Sequence, residues 1–146
     1  MKKKFVVLVA LFLAACSNNA NQTDAQPAIS AGQSAASTSQ SEVFASYSPA
    51  QTMELIKQKK DLVIIDVRSP QELREGKIEN STLIPFFDIM RGNYTIPQGR
   101  PLLLICAVGG RSYAAMQILS RKGFKEIYNL QGGISAWKQA NLPLVF

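Results

Sequence analysis

The stretch Leu102-Leu103-Leu104-Ile105-Cys106-Ala107-Val108-Gly109-Gly110-Arg111-Ser112 decides how the chain is read. Four apolar residues run without a charge and deliver one cysteine to their end. Such a run fits a strand buried on both faces of a parallel sheet, or a piece of buried helix. Pro101 precedes it, where a missing N–H does least harm. Gly109-Gly110 then frees the backbone to turn, so that successive amides can face inward and cradle an anion. From Ser112 onward, apolar residues recur at helical spacing, and a helix N-terminus adds positive potential at the same point. Both effects favour thiolate over thiol at Cys106. The bland alternative is a small hydrophobe at a strand end, a common fate of free cysteines.

Working outward, apolar runs alternate with capped helix starts. Ser48-Pro49 with Gln51 is an N-cap, a proline at the first helical position and a capping box. It should open a helix with Met53, Leu55 and Ile56 facing inward. Leu62 to Asp66 reads as a second buried strand, and Ser69-Pro70-Gln71-Glu72 repeats the capped start for a short helix. Thr82 to Pro85 reads as a strand with a short helix after it, Ile127 to Leu130 as another strand, and Gly133 to Gln139 as the last helix. Trp137 is read as core, with ligand stacking as the alternative. This alternation predicts an α/β fold with a small parallel sheet of about five strands, helices on both faces and right-handed crossovers. Ligands in such sheets bind at the carboxyl ends of strands, where Cys106 and Asp66 both fall.

The chain has 146 residues, a net charge of +6, two cysteines and no histidine. Without histidine there is no Cys-His pair, no Ser-His-Asp triad and no His-ligated metal. Two cysteines make no zinc cluster, and neither a metal nor a cofactor is expected. Lys2, Lys3 and Lys4 supply half of the net charge. No basic stripe is interleaved with aromatics, so nucleic acid is not an expected partner.

Four motifs, in order, resemble the single-domain rhodanese-like sulfurtransferases. Cys106-x-x-Gly109-x-Arg111-Ser112 is similar to the family's active-site loop and Asp66-Val67-Arg68 to its Asp-x-Arg. Gly76-Lys77-Ile78 through Ile84-Pro85 resembles its Gly-His-Ile-Pro-Gly-Ala…Ile-Pro segment. Asn129-Leu130-x-Gly132-Gly133-x-x-Ala136-Trp137, followed by Leu142-Pro143, resembles its closing signature. The likeness spans Phe44 to Val145. It departs from the pattern at Lys77, which replaces a histidine, and at Glu79-Asn80-Ser81, where an altered turn is expected. Ala107 and Val108 stand where many relatives carry polar or basic residues.

The resemblance implies a sulfurtransferase. Cys106 would be the nucleophile, taking sulfur from a small donor (thiosulfate, polysulfide or persulfide) and yielding it to a thiol or cyanide. Loop residues Ala107, Val108, Gly109, Gly110, Arg111 and Ser112 would bind the substrate. The amides of Val108, Gly109, Gly110 and Arg111 would hold the charge. Arg111 either binds an anionic donor or forms a structural ion pair, with Asp66 as a candidate partner. Asp66, Arg68, Glu72 and Glu75 would support the loop as scaffold ion pairs. This role requires the amides to face the sulfur and the sulfur to be open to solvent. Two other functions compete: a non-catalytic interaction or sulfur-binding module, and a phosphatase-like or arsenate-reductase-like loop enzyme. The four residues between Cys106 and Arg111 make a smaller cradle than the five of tyrosine phosphatases.

The first residues read as an export signal. Met1-Lys2-Lys3-Lys4 is basic and Phe5 to Leu13 is apolar, too short to span a bilayer. Leu13-Ala14-Ala15-Cys16 resembles a bacterial lipobox, with residues 1–15 as signal peptide and Cys16 as the lipidation site. More than one acyl chain there would anchor the chain stably to a membrane. Residues 16–43, rich in small polar residues, would form a flexible tether reaching about 25–30 Å, and residues 44–146 the folded domain. The expected location is the bacterial cell envelope, on the outer membrane facing the periplasm where there are two membranes. With Cys16 lipidated, Cys106 has no partner for an internal disulfide.

Overall fold

The structure, a computed structural model, describes residues 41–146. The signal-peptide and lipidation readings, and the tether up to residue 40, lie outside the described residues. Among the described residues no helix is long and apolar enough to cross a membrane.

Five strands form one parallel sheet in the order β1-β5-β4-β2-β3. They are β1 (Val43–Tyr47), β2 (Val63–Asp66), β3 (Thr82–Leu83), β4 (Leu102–Ile105) and β5 (Glu126–Leu130). The helices are α1 (Pro49–Gln58), α2 (Phe86–Arg91), α3 (Gly110–Arg121) and α4 (Gly133–Gln139), with a 3-10 helix at Pro70–Glu75.

The apolar run is therefore a strand, and the reason is its position. As the middle strand of five, β4 pairs with β2 and β5 and leaves no face to solvent. Leu102, Leu103, Leu104 and Ile105 are all fully buried. Alternation along the strand divides the core in two. Leu102, Leu104 and Cys106 pack with Ile89 of α2 and with Ala115, Met116 and Leu119 of α3. Leu103 and Ile105 pack with Leu55 of α1 and with Ile134 and Trp137 of α4. Helices thus cover both faces, as the sequence predicts. Trp137 is core, and its indole N–H donates to Pro143 O at 2.9 Å.

The capping box at Ser48 forms as expected, with Gln51 accepting from the Ser48 amide at 3.0 Å. Leu55 is buried, while Met53 and Ile56 are only partly so. The third strand is two residues long, and β1 at the sheet edge is a strand that the sequence reading did not single out. Lys77 exchanges backbone hydrogen bonds with Val145, tying the C-terminal tail down at 2.8 and 2.9 Å. The turn after it places Asn80 at φ +60°, where the family pattern has glycine. Asparagine is among the few residues that take this conformation readily.

Candidate active site

The register of β4 sets the site. Asp66 is the partner of Ile105, so β2 and β4 end together at the carboxyl edge, and Cys106 is the next residue beyond. Gly109 takes φ +94°, the left-handed turn that starts α3. A Cβ there would meet Gly132 N at 2.9 Å, so both conformation and space demand glycine.

The turn aims polar hydrogens at one atom. The Gly109 amide donates to Cys106 Sγ at 3.0 Å. The Ser112 hydroxyl stands 3.2 Å from the same sulfur and 3.1 Å from Gly109 O. Its single proton serves one of them, and a negative sulfur is the stronger claimant. Burial pushes the Cys106 thiol up. The Ser112 hydroxyl and the amides of Ser112, Val108 and Gly109 more than offset it, leaving the thiol below its ordinary value. Of the four amides expected from the sequence, Val108 and Gly109 act on the sulfur here. Gly110 and Arg111 are already in the first turn of α3.

What turns the Val108 amide inward lies behind the loop. Ile134 N donates to Cys106 O at 2.9 Å and Ser135 N to Ala107 O at 3.0 Å. A trans peptide points its C=O and N–H in opposite directions. Drawing the Ala107 carbonyl back toward α4 therefore swings the Val108 N–H forward. This backing requires α4 to sit against the loop, which only Gly133 permits: a Cβ there would meet Cys106 O at 2.3 Å. Sequence reasoning missed the role of Ile134 and Ser135. The adjacent Gly132-Gly133 was the available signal.

The charged residues sort into closed pairs. Arg68 is fully buried and grips Asp66 through Nε at 3.0 Å and Nη2 at 2.7 Å. Its remaining donors go to Glu72 O at 3.1 Å and Gly76 O at 2.9 Å, so it braces the segment bearing Glu72. Asp66, a candidate partner for Arg111, is thereby spent. Arg111 instead forks onto Glu72, at 2.9 Å to Oε2 and 2.5 Å to Oε1. Arg111 holds the Glu72 carboxyl down at about 2, helped by Ser69. Glu75 pairs with Lys138 at 3.1 Å. These are the scaffold pairs the sequence suggested, with Arg111 joined to them.

One requirement is not met. Cys106 has 0 % of its surface exposed. The parity of β4 explains it: Cys106 continues the face of Leu102 and Leu104, which leads beneath α3. Val108 in the loop is 69 % exposed, and Phe87 and Met90 of α2 and Tyr113 of α3 are exposed as well. In this conformation the sulfur is closed to solvent, so the accessibility expected from the sequence is corrected.

Ser112→Ala is expected to raise the Cys106 pKa, because it removes a hydrogen bond to the thiolate and leaves burial in place. The rate of alkylation by iodoacetamide should then rise at higher pH than in the wild type. An unmoved profile would deny the hydroxyl this role. The linkage has a definite sign. A thiol that ionises at lower pH when folded adds stability above the unfolded pKa, and that gain is lost as pH falls through the folded value.

The fold agrees with comparisons to known proteins. Residues 48–140 match the rhodanese-like domain. A sulfurtransferase of Allochromatium vinosum is 35% identical over 85 residues, covering 58% of this chain and 79% of its own. A thiosulfate sulfurtransferase GlpE of Pseudoalteromonas translucida is 33% identical over 97 residues, covering 66% and 91%. Among solved structures, a rhodanese-related protein of Thermoplasma volcanium superposes with TM-score 0.62 at 33% identity, over 70% of this chain and 98% of its own. A Rhodopseudomonas palustris protein described as a possible tyrosine phosphatase gives 0.64 at 28% identity, over 70% and 85%. With the domain match spanning most of the described residues, and its Cys-loop and Asp-x-Arg seated at one sheet edge, the chain belongs to the rhodanese-like family.

Proposed function

We propose that Cys106 carries a sulfane sulfur, as a persulfide, from a donor to a thiophilic acceptor. The chain is a rhodanese-type sulfurtransferase. The Cys106 thiolate attacks the outer sulfur of the donor. A new S–S bond forms while the donor's own bond to that sulfur breaks, and its electron pair leaves on the remainder. The acceptor, a thiol or cyanide, then takes the outer sulfur and returns Cys106 as thiolate. No outside oxidant or reductant enters the cycle.

The observation that carries this reading is the convergence of the Gly109 amide and the Ser112 hydroxyl on Cys106 Sγ. Donors fixed in advance stabilise a developing anion without reorganising. A loop built for phosphate would need Arg111 to hold the oxyanion, and that guanidinium is engaged by Glu72.

Mass spectrometry after exposure to thiosulfate or polysulfide tests the proposal. The expected result is a gain of one sulfur, mapped to Cys106. An unreactive thiol titrating as ordinary cysteine would overturn it in favour of a binding module. Turnover of an aryl phosphate without sulfur transfer would overturn it in favour of a phosphatase.

A further inference from the structure

We infer that Glu72 sets the donor preference of this site: by closing Arg111 into an ion pair, it disfavours dianionic thiosulfate and leaves organic persulfides as the preferred donors. The inference rests on Cys106 being the sulfur carrier.

The two donor classes differ in the half that is not transferred. Thiosulfate leaves as sulfite, so a trioxo head must hold two negative charges beside a thiolate that already carries one. Such a head calls for a free guanidinium, whose planar fork matches its oxygens. An organic persulfide needs none. In that reaction Cys106–S⁻ and R–S–SH give Cys106–S–SH and R–S⁻, and the leaving half carries a single charge on an organic body.

Arg111 is the only basic residue between Leu102 and Ser120. Both of its terminal nitrogens are on Glu72. Glu72 is itself held, since its Oε2 accepts from the Ser69 amide and hydroxyl at 2.9 Å each. Its carboxyl, depressed to about 2, stays charged at any pH where the enzyme would work. The other guanidinium at this sheet edge, Arg68, is buried and engaged by Asp66 and two carbonyls. The loop therefore offers a dianion a neutral pair and a thiolate.

What it offers an organic leaving group is different. Helices α2 and α3 pack against each other, and both start at the carboxyl edge of the sheet. Phe87 and Tyr113 in their first turns, with Val108 between strand and helix, are 66 %, 49 % and 69 % exposed. These apolar surfaces match the carbon body of R–S–SH, whether R is a small thiol or a cysteine in a polypeptide.

Rapid-quench mass spectrometry of Cys106 loading tests this with thiosulfate, benzyl hydropersulfide and a persulfidated cysteine peptide as donors. The wild type should load from at least one of the two persulfides with higher efficiency than from thiosulfate. Glu72→Gln removes the charge while its amide oxygen keeps the cap to Ser69. It should raise the thiosulfate-to-persulfide efficiency ratio about tenfold, through the half-saturating thiosulfate concentration rather than the maximal loading rate. Adding Arg111→Gln should reverse that gain; a merely structural role for Glu72 predicts neither change. Equal or better loading from thiosulfate in the wild type, or an unchanged ratio in Glu72→Gln, overturns the inference alone. No loading of Cys106 by any donor overturns the carrier role with it. Loading by the benzyl donor and not the peptide assigns R to small thiols, and the reverse assigns it to proteins; either supports the preference.

Discussion

Cys106→Ser is expected to abolish sulfur transfer, by at least about a thousandfold, while the protein still folds. The substitution exchanges one atom. Serine keeps the shape and can still accept from the Gly109 amide and the Ser112 hydroxyl at the places where Sγ now does. What it loses is chemistry: an alcohol does not ionise in this range, and its oxygen forms no persulfide. Stability should change by about 1 kcal/mol or less, the size of an ordinary conservative replacement. Turnover with cyanide as acceptor, beside a thermal melt, separates the two effects. Retained turnover in a folded variant would remove Cys106 from the mechanism.

Gly133→Ala should be the most damaging single methyl group in the described chain. Its Cβ would stand 2.3 Å from Cys106 O and 2.5 Å from Ala107 C, and φ of +58° is already unfavourable for alanine. The atoms it meets are all backbone of the loop, which cannot give the relief of a flexible side chain. Left-handed strain and overpacking together cost about 3 kcal/mol. Because the clash falls on the peptides that α4 holds back, the damage reaches the sulfur. We expect a lower melting temperature together with slower alkylation of Cys106 at neutral pH. Loss of stability with an unaltered thiol would show that α4 does not position the loop.

The sequence made much of this legible, for identifiable reasons. An uncharged four-residue run fits an interior strand of a parallel sheet, and β4 is the middle one. Ser48 with Gln51 and Ser69 with Glu72 announce helix starts because capping is local. Strand β1 escaped because Val43–Tyr47 is an edge strand, only half-buried on its inner face, beside a run of polar residues. The fork of Arg111 onto Glu72 joins segments that no local rule connects, and Asp66 was the more visible carboxylate. The depth of Cys106 was available in principle. Counting by twos from Leu102 through Leu104 places it on the α3 face, and buried on that account.

The backing of the loop by α4 also orders events in time. Synthesis delivers Cys106, the glycine turn and α3 before Gly133, Ile134 and Ser135 exist. Until those residues emerge and dock, nothing draws the Cys106 and Ala107 carbonyls rearward. The nascent chain thus carries Cys106 as an ordinary thiol, without the hydrogen bonds that lower its pKa once folded. Its reactivity is switched on by the completion of folding, downstream of the final strand.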